Sequence, residues 1–559
     1  MKFFSFIKNT LRAYEFKHSL ISLFSIVVLL LMIVKLSIFP YGFGIFDVTT
    51  VYTQGMVSNN GVRLINPLFV DYNEADREVS SLVFSGLMKY DPSKRAVVDD
   101  MATMTLNEDK TQYTLQLREG LKWHDGADVT AEDVYFTYHD LIMSPSFPNE
   151  ILKANFAGTQ IEMLNDRTVR FTLEKPNIFF VANLTTGIVP EHVLSGIEPY
   201  EILNNSFNSV PVGTGPYKVV EAPQTFPSGR MQITLERNTN YYGPILEIEF
   251  MRFITYPTMT GLMDEISSLN GVVRVTGEDI MNFESSERFQ LLSYELPQYT
   301  AVFMNMESQI LKDPDVRLAL QKSVDKTALM DLFVDKIPVD TPLMQLNQEE
   351  WEYQPNVEEA QGALKDAGWE YLAEDTEKAG IRYDDEDNPL ALNLVARFAP
   401  EGSSQNEETQ KVVAYLQDSW ESIGIEIQVE FLPDETFREA ISSRQYDLLL
   451  VGQSLGYNLD TYSYWHSTQA DPGGQNFANY KSFQVDKLIE DIRFVFDEEK
   501  RAELLTDLAE RIREDVPAVF LYRPVYYYAD DGKVNGISTD GLVFPSDRFY
   551  NVGEWTFAK

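Results

Sequence analysis

Residues 117–134 read LREGLKWHDGADVTAEDV and combine three local signals in one short stretch. They follow an alternation of apolar and polar side chains over 113–117, which is the period of a half-buried strand. The LKWHDG segment then predicts a turn, with His124 as a turn residue rather than a metal ligand. Thr130 and Asp133 have the spacing of a capping box at a helix start. The stretch therefore predicts a strand, a turn and a helix in that order.

The same mixture of strands and helices continues along the chain. Period-two apolar patterns, which predict strands, recur at 169–173, 231–235 and 425–431. Asp313 followed by Pro314 predicts a helix start with the aspartate as N-cap, and the helical pattern over 412–423 stops at Gly424. Strands and helices mixed without strict repetition predict an α/β fold with some α+β character.

Composition limits the classes of function. The chain has 559 residues, which predicts two or three lobes. It carries 46 basic and 85 acidic residues, a net charge of −39. Such a surface repels phosphate backbones, so nucleic acid is excluded as a partner. Solubility explains the charge, and a preference for cationic ligands is the less favoured interpretation. There is no cysteine, which excludes disulfides, thiolate metal sites and a lipid-modified N-terminal cysteine.

A candidate transmembrane anchor lies at Leu20–Phe39, which is almost wholly apolar. A helix rising about 1.5 Å per residue crosses the roughly 30 Å bilayer core over this length. Residues 1–19 carry four Lys or Arg residues against the single acidic residue Glu15. The positive-inside rule therefore predicts a cytoplasmic N-terminus, a single-pass anchor in the cell membrane and a large extracytoplasmic domain. A cleaved signal peptide is the alternative, but no small-x-small cleavage site follows the span.

Motifs for cofactors and metals are missing from the sequence. None of the five histidines forms an H-E-x-x-H motif. Neither G-x-G-x-x-G nor G-x-x-x-x-G-K-[ST] occurs, and no calcium loop is present. The sequence thus predicts no cofactor, no metal and no catalytic residue.

One motif of enzymes does occur, as Gly452–Gly456 matches the G-x-S-x-G pattern that presents a nucleophilic serine. A hydrolase built on Ser454 would take its acid and base from Asp460 and His466, within one short segment. Such triads normally draw their members from separate strands, and no helix is predicted directly after the motif. A secreted serine hydrolase using Ser454 is therefore kept only as an alternative function.

Many segments, in their order along the chain, carry a family resemblance. They are LREGLKWHDG with VTAEDV (117–134), IVPEHVL (188–194), PVGTGPYKV (211–219), LERNTNYYG (235–243), DPDVRLALQKSVDK (313–326), WEYQPNVEEAQGALKDAGW (351–369), GIEIQVEF (424–431), GQNFANYKSFQVDKLI (474–489) and VPAVFLY (516–522). With these segments, nearly all of the chain beyond about residue 60 resembles the extracellular solute-binding proteins of ABC importers, in the oligopeptide/dipeptide/nickel-type class (family 5).

The resemblance implies a periplasmic-binding-protein-like fold with two lobes, a hinge and an extra subdomain in the first lobe, preceded here by the transmembrane helix at 20–39. The domains implied are a first lobe at 45–80, 208–296 and 515–559, an inserted subdomain at 81–207, and a second lobe at 297–514. Ligand would be enclosed between the lobes.

The resemblance also implies ligand-binding residues around GQSLGYNLDTYSYW. In peptide-binding members of the family an aspartate in this loop pairs with the peptide ammonium. Tyr457 and Asn458 match that motif, but Gly456 stands at the aspartate position. Asp460 either substitutes for it or only caps the local backbone. The other candidate ligand-binding residues are Asn66, Ser454, Trp465, Gln475 and Asn476.

The expected function is that of a membrane-anchored solute-binding protein of an ABC importer, without enzymatic activity. Its expected partners are an oligopeptide or similar small solute and the permease subunits, with the protein itself a monomer. A ligand sensor on the same fold that reports ligand without import is an alternative. A nickel- or heme-type importer protein is another, which the few histidines and the absence of cysteine oppose.

Overall fold

The computed structural model describes residues 50–371, 380–399, 404–457 and 459–558. Residues 50–559 form one compact unit. Within the described ranges, no helix is both long enough and apolar enough to cross a bilayer. The predicted span at 20–39 lies outside those ranges.

The strands are numbered in chain order. They are β1 Val51–Val57, β2 Met88–Asp91, β3 Ala96–Asp99, β4 Ala102–Leu106, β5 Gln112–Leu117, β6 Gln160–Asn165, β7 Thr168–Thr172, β8 Tyr217–Val219, β9 Gln224–Thr225, β10 Met231–Arg237, β11 Phe250–Tyr256, β12 Gly271–Val275, β13 Gln290–Glu295, β14 Gln298–Met304, β15 Lys336–Pro338, β16 Glu370–Tyr371, β17 Arg382–Tyr383, β18 Ala391–Arg397, β19 Glu426–Leu432, β20 Leu448–Ser454, β21 Ala518–Asp530, β22 Val534–Asn535 and β23 Thr556–Phe557.

The α-helices are numbered in the same way. They are α1 Glu74–Val83, α2 Ala131–Tyr135, α3 Glu150–Ala154, α4 Phe180–Asn183, α5 Glu191–Leu194, α6 Met259–Asp264, α7 Met281–Glu284, α8 Pro314–Lys322, α9 Lys326–Met330, α10 Val357–Asp366, α11 Ser404–Glu421, α12 Asp434–Ser443, α13 Tyr462–Trp465, α14 Phe483–Phe494 and α15 Glu498–Asp515.

Two predicted helix starts are confirmed by their caps. The Asp133 carboxylate accepts the backbone N–H of Thr130 at 2.9 Å, and the Thr130 hydroxyl caps α2 in return. Asp313 caps α8 with Pro314 in its first turn. Both N-caps involve only residues close together in the sequence, so they can be predicted from it.

A mixed sheet runs through both halves of the molecule, in the strand order β19-β18-β20-β14-β21-β12-β1-β11-β10-β8. Strand β21 is central because its first half pairs with β14 and its second half with β12 and β13. Only Leu296 and Pro297 separate β13 from β14. The chain therefore crosses between the two halves twice, once at 296–297 and once inside β21.

Hydrophobic cores define the two lobes on either side of these crossings. One core holds Trp123 and Tyr528, so the inserted stretch and the first lobe share it. The second lobe packs a core on each face of its part of the sheet. Tyr522 belongs to the second lobe and Tyr526 to the first. The second crossing thus lies beyond residue 515, the boundary expected from sequence, because β21 runs unbroken through both lobes.

The stretch 117–134 is fixed to a distant part of the first lobe by His124. Its backbone N–H donates to the Gly213 carbonyl at 2.9 Å, and its ring Nδ1 accepts the Gly213 N–H at 3.1 Å. The other ring nitrogen contacts the Gly215 carbonyl at 3.1 Å. Burial lowers the pKa of His124 to about 4, so the ring is neutral near neutral pH. His124 is a structural residue of the turn, as the sequence predicted.

Candidate functional site

The loop after β20 leaves the sheet beside the first crossing. Ser454, the last residue of β20, lies opposite Gln298, the first residue of β14. Gly456 follows with φ +72°, a left-handed conformation that favours glycine. Tyr457 is thereby directed out of the second lobe and against the first.

Tyr457 fills a site made by the first lobe. Its ring stacks on Tyr90 with centroids 4.8 Å apart, and it meets Phe544 edge-on at 5.0 Å. Its hydroxyl donates to the Asp547 carboxylate at 2.7 Å. Burial raises the pKa of Asp547 to about 6, although backbone N–H groups of Phe544 and Val543 also bind it. Tyr457 is therefore a contact between the lobes.

Asp460 is held in an ion pair. Arg493 donates to its carboxylate at 3.0 and 2.6 Å, and the guanidinium lies 3.8 Å from the centroid of the Tyr462 ring. Asp460 also accepts the Tyr462 backbone N–H at 3.1 Å, the local cap that was one of its two sequence interpretations. The Arg493 carbonyl accepts at 2.9 Å the N–H of Ile178, which lies in the stretch 81–207 before the first crossing. We call the surface along which the lobes meet, marked by Tyr457–Asp547 and Arg493–Ile178, the lobe junction.

Ser454 and His466, the nucleophile and the base of the alternative hydrolase, make their described hydrogen bonds to other groups. The carbonyl of Ser454 accepts the Tyr464 hydroxyl. The His466 ring is buried and its Nδ1 bonds to Thr468 at 2.9 Å. Over the described ranges no hydrogen bond joins Ser454 to His466. A short loop separates β20 from α13, so the helix that should follow a nucleophile elbow is absent there.

Three other predicted ligand residues lie inside the protein, namely Asn66, Asn476 and Trp465. Asn66 is fully buried, donating to Asn208 at 2.8 Å and accepting the Leu68 N–H at 3.0 Å. Asn476 is fully buried and donates to the Tyr480 carbonyl at 2.8 Å.

Trp465 is 1% exposed and packs against Phe303 and Phe520. In this structure Asn66, Asn476 and Trp465 are buried and contact other protein groups, and their ligand contacts stay a prediction. The burial of these three side chains depends on contacts with residues elsewhere in the fold. Local patterns in the sequence therefore do not reveal it.

Gln475 lies nearer the candidate loop. It is half-buried, and its carbonyl accepts the side-chain amide of Gln453 at 3.0 Å. Gln453 also accepts the hydroxyl of Tyr299 at 2.5 Å. The structure thus brings Ser454, Tyr457 and Gln475 to one region. Asn458 lies outside the described residues.

A polar cluster at the hinge was missed by sequence reasoning. Arg274 has φ +61° where the pairing of β12 with β21 shifts register, a β-bulge. Its guanidinium pairs with Glu74 and donates to the Tyr526 hydroxyl at 3.3 Å. The side chain is 44% exposed. No sequence signal marks a bulge in GVVRV, so Arg274 was not a candidate.

Comparison with known proteins settles the family. A model described as "Bacterial extracellular solute-binding proteins, family 5 Middle" matches residues 96–475. The chain belongs to family 5 of the bacterial extracellular solute-binding proteins. The oligopeptide-binding protein AppA of Bacillus subtilis is 24% identical over 515 residues, covering 89% of this chain and 90% of AppA.

Solved structures agree on the family 5 fold. The structure of AppA from Bacillus subtilis in complex with a nonapeptide has a TM-score of 0.73 and 23% identity, covering 92% of this chain and 100% of AppA. NikZ from Campylobacter jejuni in complex with Ni(L-His) has a TM-score of 0.74 and 24% identity, covering 90% of this chain and 99% of NikZ. The two-lobe, periplasmic-binding-protein-like fold is therefore that of this chain.

Proposed function

We propose that this chain is a membrane-anchored, extracytoplasmic receptor of an ABC importer that encloses oligopeptides between its lobes. The observation that carries the proposal is the arrangement of two lobes with separate hydrophobic cores, between which the described chain crosses at 296–297 and within β21. These two crossings, one a short linker and the other a strand, let the lobes open and close as rigid bodies. A ligand that contacts both lobes stabilises the closed form by its differential affinity for that form.

Oligopeptides are the proposed solute class. AppA is named an oligopeptide-binding protein, and a nonapeptide occupies it in its complex. NikZ binds Ni(L-His) on the same fold, so the fold alone does not choose the ligand. Within the described residues, no group of His, Asp and Glu side chains is arranged to hold a metal ion. Peptide is favoured because the curated relative AppA, which covers 89% of this chain, is named an oligopeptide-binding protein.

Membrane anchoring is proposed from the sequence of residues 20–39. A tethered receptor meets its permease at a raised effective concentration, since both partners are confined to the same surface. We propose that closed, loaded receptor is the form the permease accepts. No covalent step is assigned to the protein in this proposal.

Native mass spectrometry of the full-length chain in detergent tests the proposal. The protein is purified without denaturation and its adduct masses are recorded before and after exposure to a nonapeptide. A ladder of adducts at peptide masses is the expected result. A single non-peptide adduct, with no exchange for nonapeptide, would reject the peptide class while leaving the solute-binding family intact.

A further inference from the structure

A carboxylate of the first lobe is covered at the lobe junction by a side chain of the second lobe. Asp547 is 8% exposed, and its carboxylate accepts the Tyr457 hydroxyl at 2.7 Å. It also accepts the backbone N–H groups of Val543 and Phe544, which belong to the first lobe. When the lobes separate, Asp547 keeps these two backbone hydrogen bonds and loses the ring and the hydroxyl of Tyr457.

Side chains of the first lobe also bring charge or a titratable group near Asp547. Arg77 of α1 lowers the pKa of Asp547 by its charge, and it is itself paired with Asp71. Tyr90 of β2 faces Asp547 as well. Since these groups lie on the same side of the lobe junction as Asp547, they stay near it whether the lobes are open or closed. The change on closure therefore comes from Tyr457.

Closure acts on Asp547 in two opposed ways. The ring of Tyr457 removes water from the carboxylate, which disfavours its charged form. The hydroxyl of Tyr457 favours the charged form, but water supplies hydrogen bonds in its place when the lobes are open. Burial is the larger of these effects in the closed form. Closure should therefore increase the affinity of Asp547 for a proton.

The lobes meet at a second place, close to the hinge. The turn Gly277–Ile280 shares a core with Val272 of the first lobe, and it packs against α11 of the second lobe. The Asp335 carboxylate of the second lobe accepts the Gly277 N–H at 2.7 Å, which fixes the turn there. Glu408 of α11 is paired with Lys336 at 3.0 Å.

This second contact brings carboxylates of the two lobes together. Burial raises the pKa of Asp279 in the turn, and the charges of Glu278 and of Glu407 on α11 raise it further. Lys411 of α11 pairs with Glu278 at 3.7 Å. Among the ion pairs of the described residues, none includes Asp279. Opening would move Glu407 away from Asp279, so here too the closed form holds a proton more readily.

We propose that closure of the lobes is coupled to proton uptake at Asp547 and Asp279, so that mildly acidic pH favours the closed form and a rise in pH favours opening. This coupling rests on the proposed opening and closing of the lobes, but on no particular solute. Protons bind the closed form more tightly than the open form, and by linkage they shift the equilibrium towards it. Solute enclosed between the lobes would accordingly be held more tightly at acidic pH.

Distances between two labels, one on each lobe, test the coupling. The chain has no cysteine, so Ile245→Cys and Phe483→Cys supply the labelling sites, and both side chains are largely exposed. Electron–electron double resonance on the full-length protein in detergent, frozen at pH 7 and at pH 5, gives the ratio of closed to open molecules. The label distance in this structure marks the closed form. With an ordinary aspartate pKa of about 3.9 in the open form, the ratio should rise about tenfold at pH 5.

The other outcomes separate the coupling from the proposed function. A ratio that stays constant or falls at pH 5 would overturn the coupling and leave the proposed function intact. A single distance at both pH values would show that the lobes do not open, which would overturn the coupling together with the proposed opening.

Asparagine variants assign the proton uptake to its residues. Asp547→Asn keeps a side-chain oxygen for the backbone N–H groups but takes up no proton, and Asp279→Asn removes the carboxylate of the turn. Each variant should show a smaller rise than the parent, and the double variant should show none. Asp109→Asn, in the exposed turn between β4 and β5, is the control and should keep the parental rise. A parental rise in the double variant would overturn the assignment to these carboxylates.

Tyr457→Phe gives a second test of Asp547 that does not alter the carboxylate itself. The hydroxyl of Tyr457 lowers the pKa of Asp547, and phenylalanine keeps the ring that covers it. The midpoint of the pH response should therefore move to higher pH in this variant. An unmoved midpoint would overturn the role of Asp547, even where Asp547→Asn fails to fold as judged by its thermal melt.

Discussion

The hydroxyl of Tyr457 donates a 2.7 Å hydrogen bond to the Asp547 carboxylate, ninety residues further along the chain and in the other lobe. The same tyrosine ring stacks on Tyr90 of the inserted subdomain. One side chain of the second lobe thus contacts two separate parts of the first. In this structure the two lobes are therefore held together by contacts between protein groups.

Tyr457→Phe tests this contact between the lobes. The variant keeps the ring stack and loses only the hydrogen bond, so the closed form should lose about 1 kcal/mol and the apparent peptide affinity should fall by about threefold if half of the unliganded protein is closed. Small-angle scattering of the unliganded protein should report a larger radius of gyration. Tyr462→Phe is the control, because its hydroxyl bonds to Thr468 within the second lobe. Equal effects of both substitutions would contradict the assignment.

His124 should make stability depend on pH. Burial lowers its folded-state pKa to about 4, below the unfolded value of about 6.5, so the unfolded chain binds the proton more readily. Its contribution is fully present above the unfolded pKa and is lost as the pH falls toward the folded pKa. Between about pH 7 and about pH 5 the loss should be about 2 kcal/mol.

Urea unfolding at both pH values measures this loss. His124→Gln should show a smaller pH dependence than the parent protein. The exposed His139 gives the control, and His139→Gln should retain the parental slope. An unchanged slope in His124→Gln would refute the prediction.

Arg548 and Glu78 form a fully buried ion pair in the first lobe, each 1% exposed in its side chain. Gln54 completes the network by donating to Glu78 at 2.9 Å. Arg548→Met leaves a buried carboxylate without its partner, so unfolding free energy should fall by about 3–5 kcal/mol. The exposed pair of Arg397 and Asp434 gives a contrast, and Arg397→Met should change stability by about 1 kcal/mol at most. Similar losses in both variants, by urea unfolding, would contradict this ranking.

Two glycines should respond to alanine with opposite signs. Gly362 lies inside α10, and a Cβ there would meet no described atom within 4 Å, so Gly362→Ala should stabilise the protein by about 0.5–1 kcal/mol. Gly456 has φ +72°, where a side chain is strained, and Gly456→Ala should destabilise by about 1–2 kcal/mol. Thermal melts of both variants measure the difference. Stabilisation by Gly456→Ala would show that the left-handed conformation is not required.

Much of the fold could be predicted because its signals are local. The capping box of Thr130 and Asp133 and the start of α8 at Asp313 use groups a few residues apart, and the alternating strands follow from period-two burial. The order of the resembling segments added the two-lobe architecture. The family resemblance also located the candidate loop around Ser454 and Tyr457.

The pairing of the site residues could not be predicted. Asp460 meets Arg493 thirty-three residues away, and Tyr457 meets Asp547 across the lobes. The sequence does not distinguish among the many acidic residues of this chain. Only their positions in the folded protein decide which of them form ion pairs with a Lys or Arg side chain. The position of the Arg274 side chain also depends on a β-bulge in β12, and the apolar residues around Arg274 do not indicate that bulge.

The order of the residues was enough to identify the family, the α/β class and the position of the loop after β20, because periodicity, caps and turn residues act over short distances. Only the folded chain shows that Asp460 is an ion-pair partner of Arg493, that Tyr457 contacts both lobes, and that Asn66, Asn476 and Trp465 are buried. Those outcomes depend on burial and on charges brought together from distant segments, and such long-range contacts leave no pattern in the order of the residues.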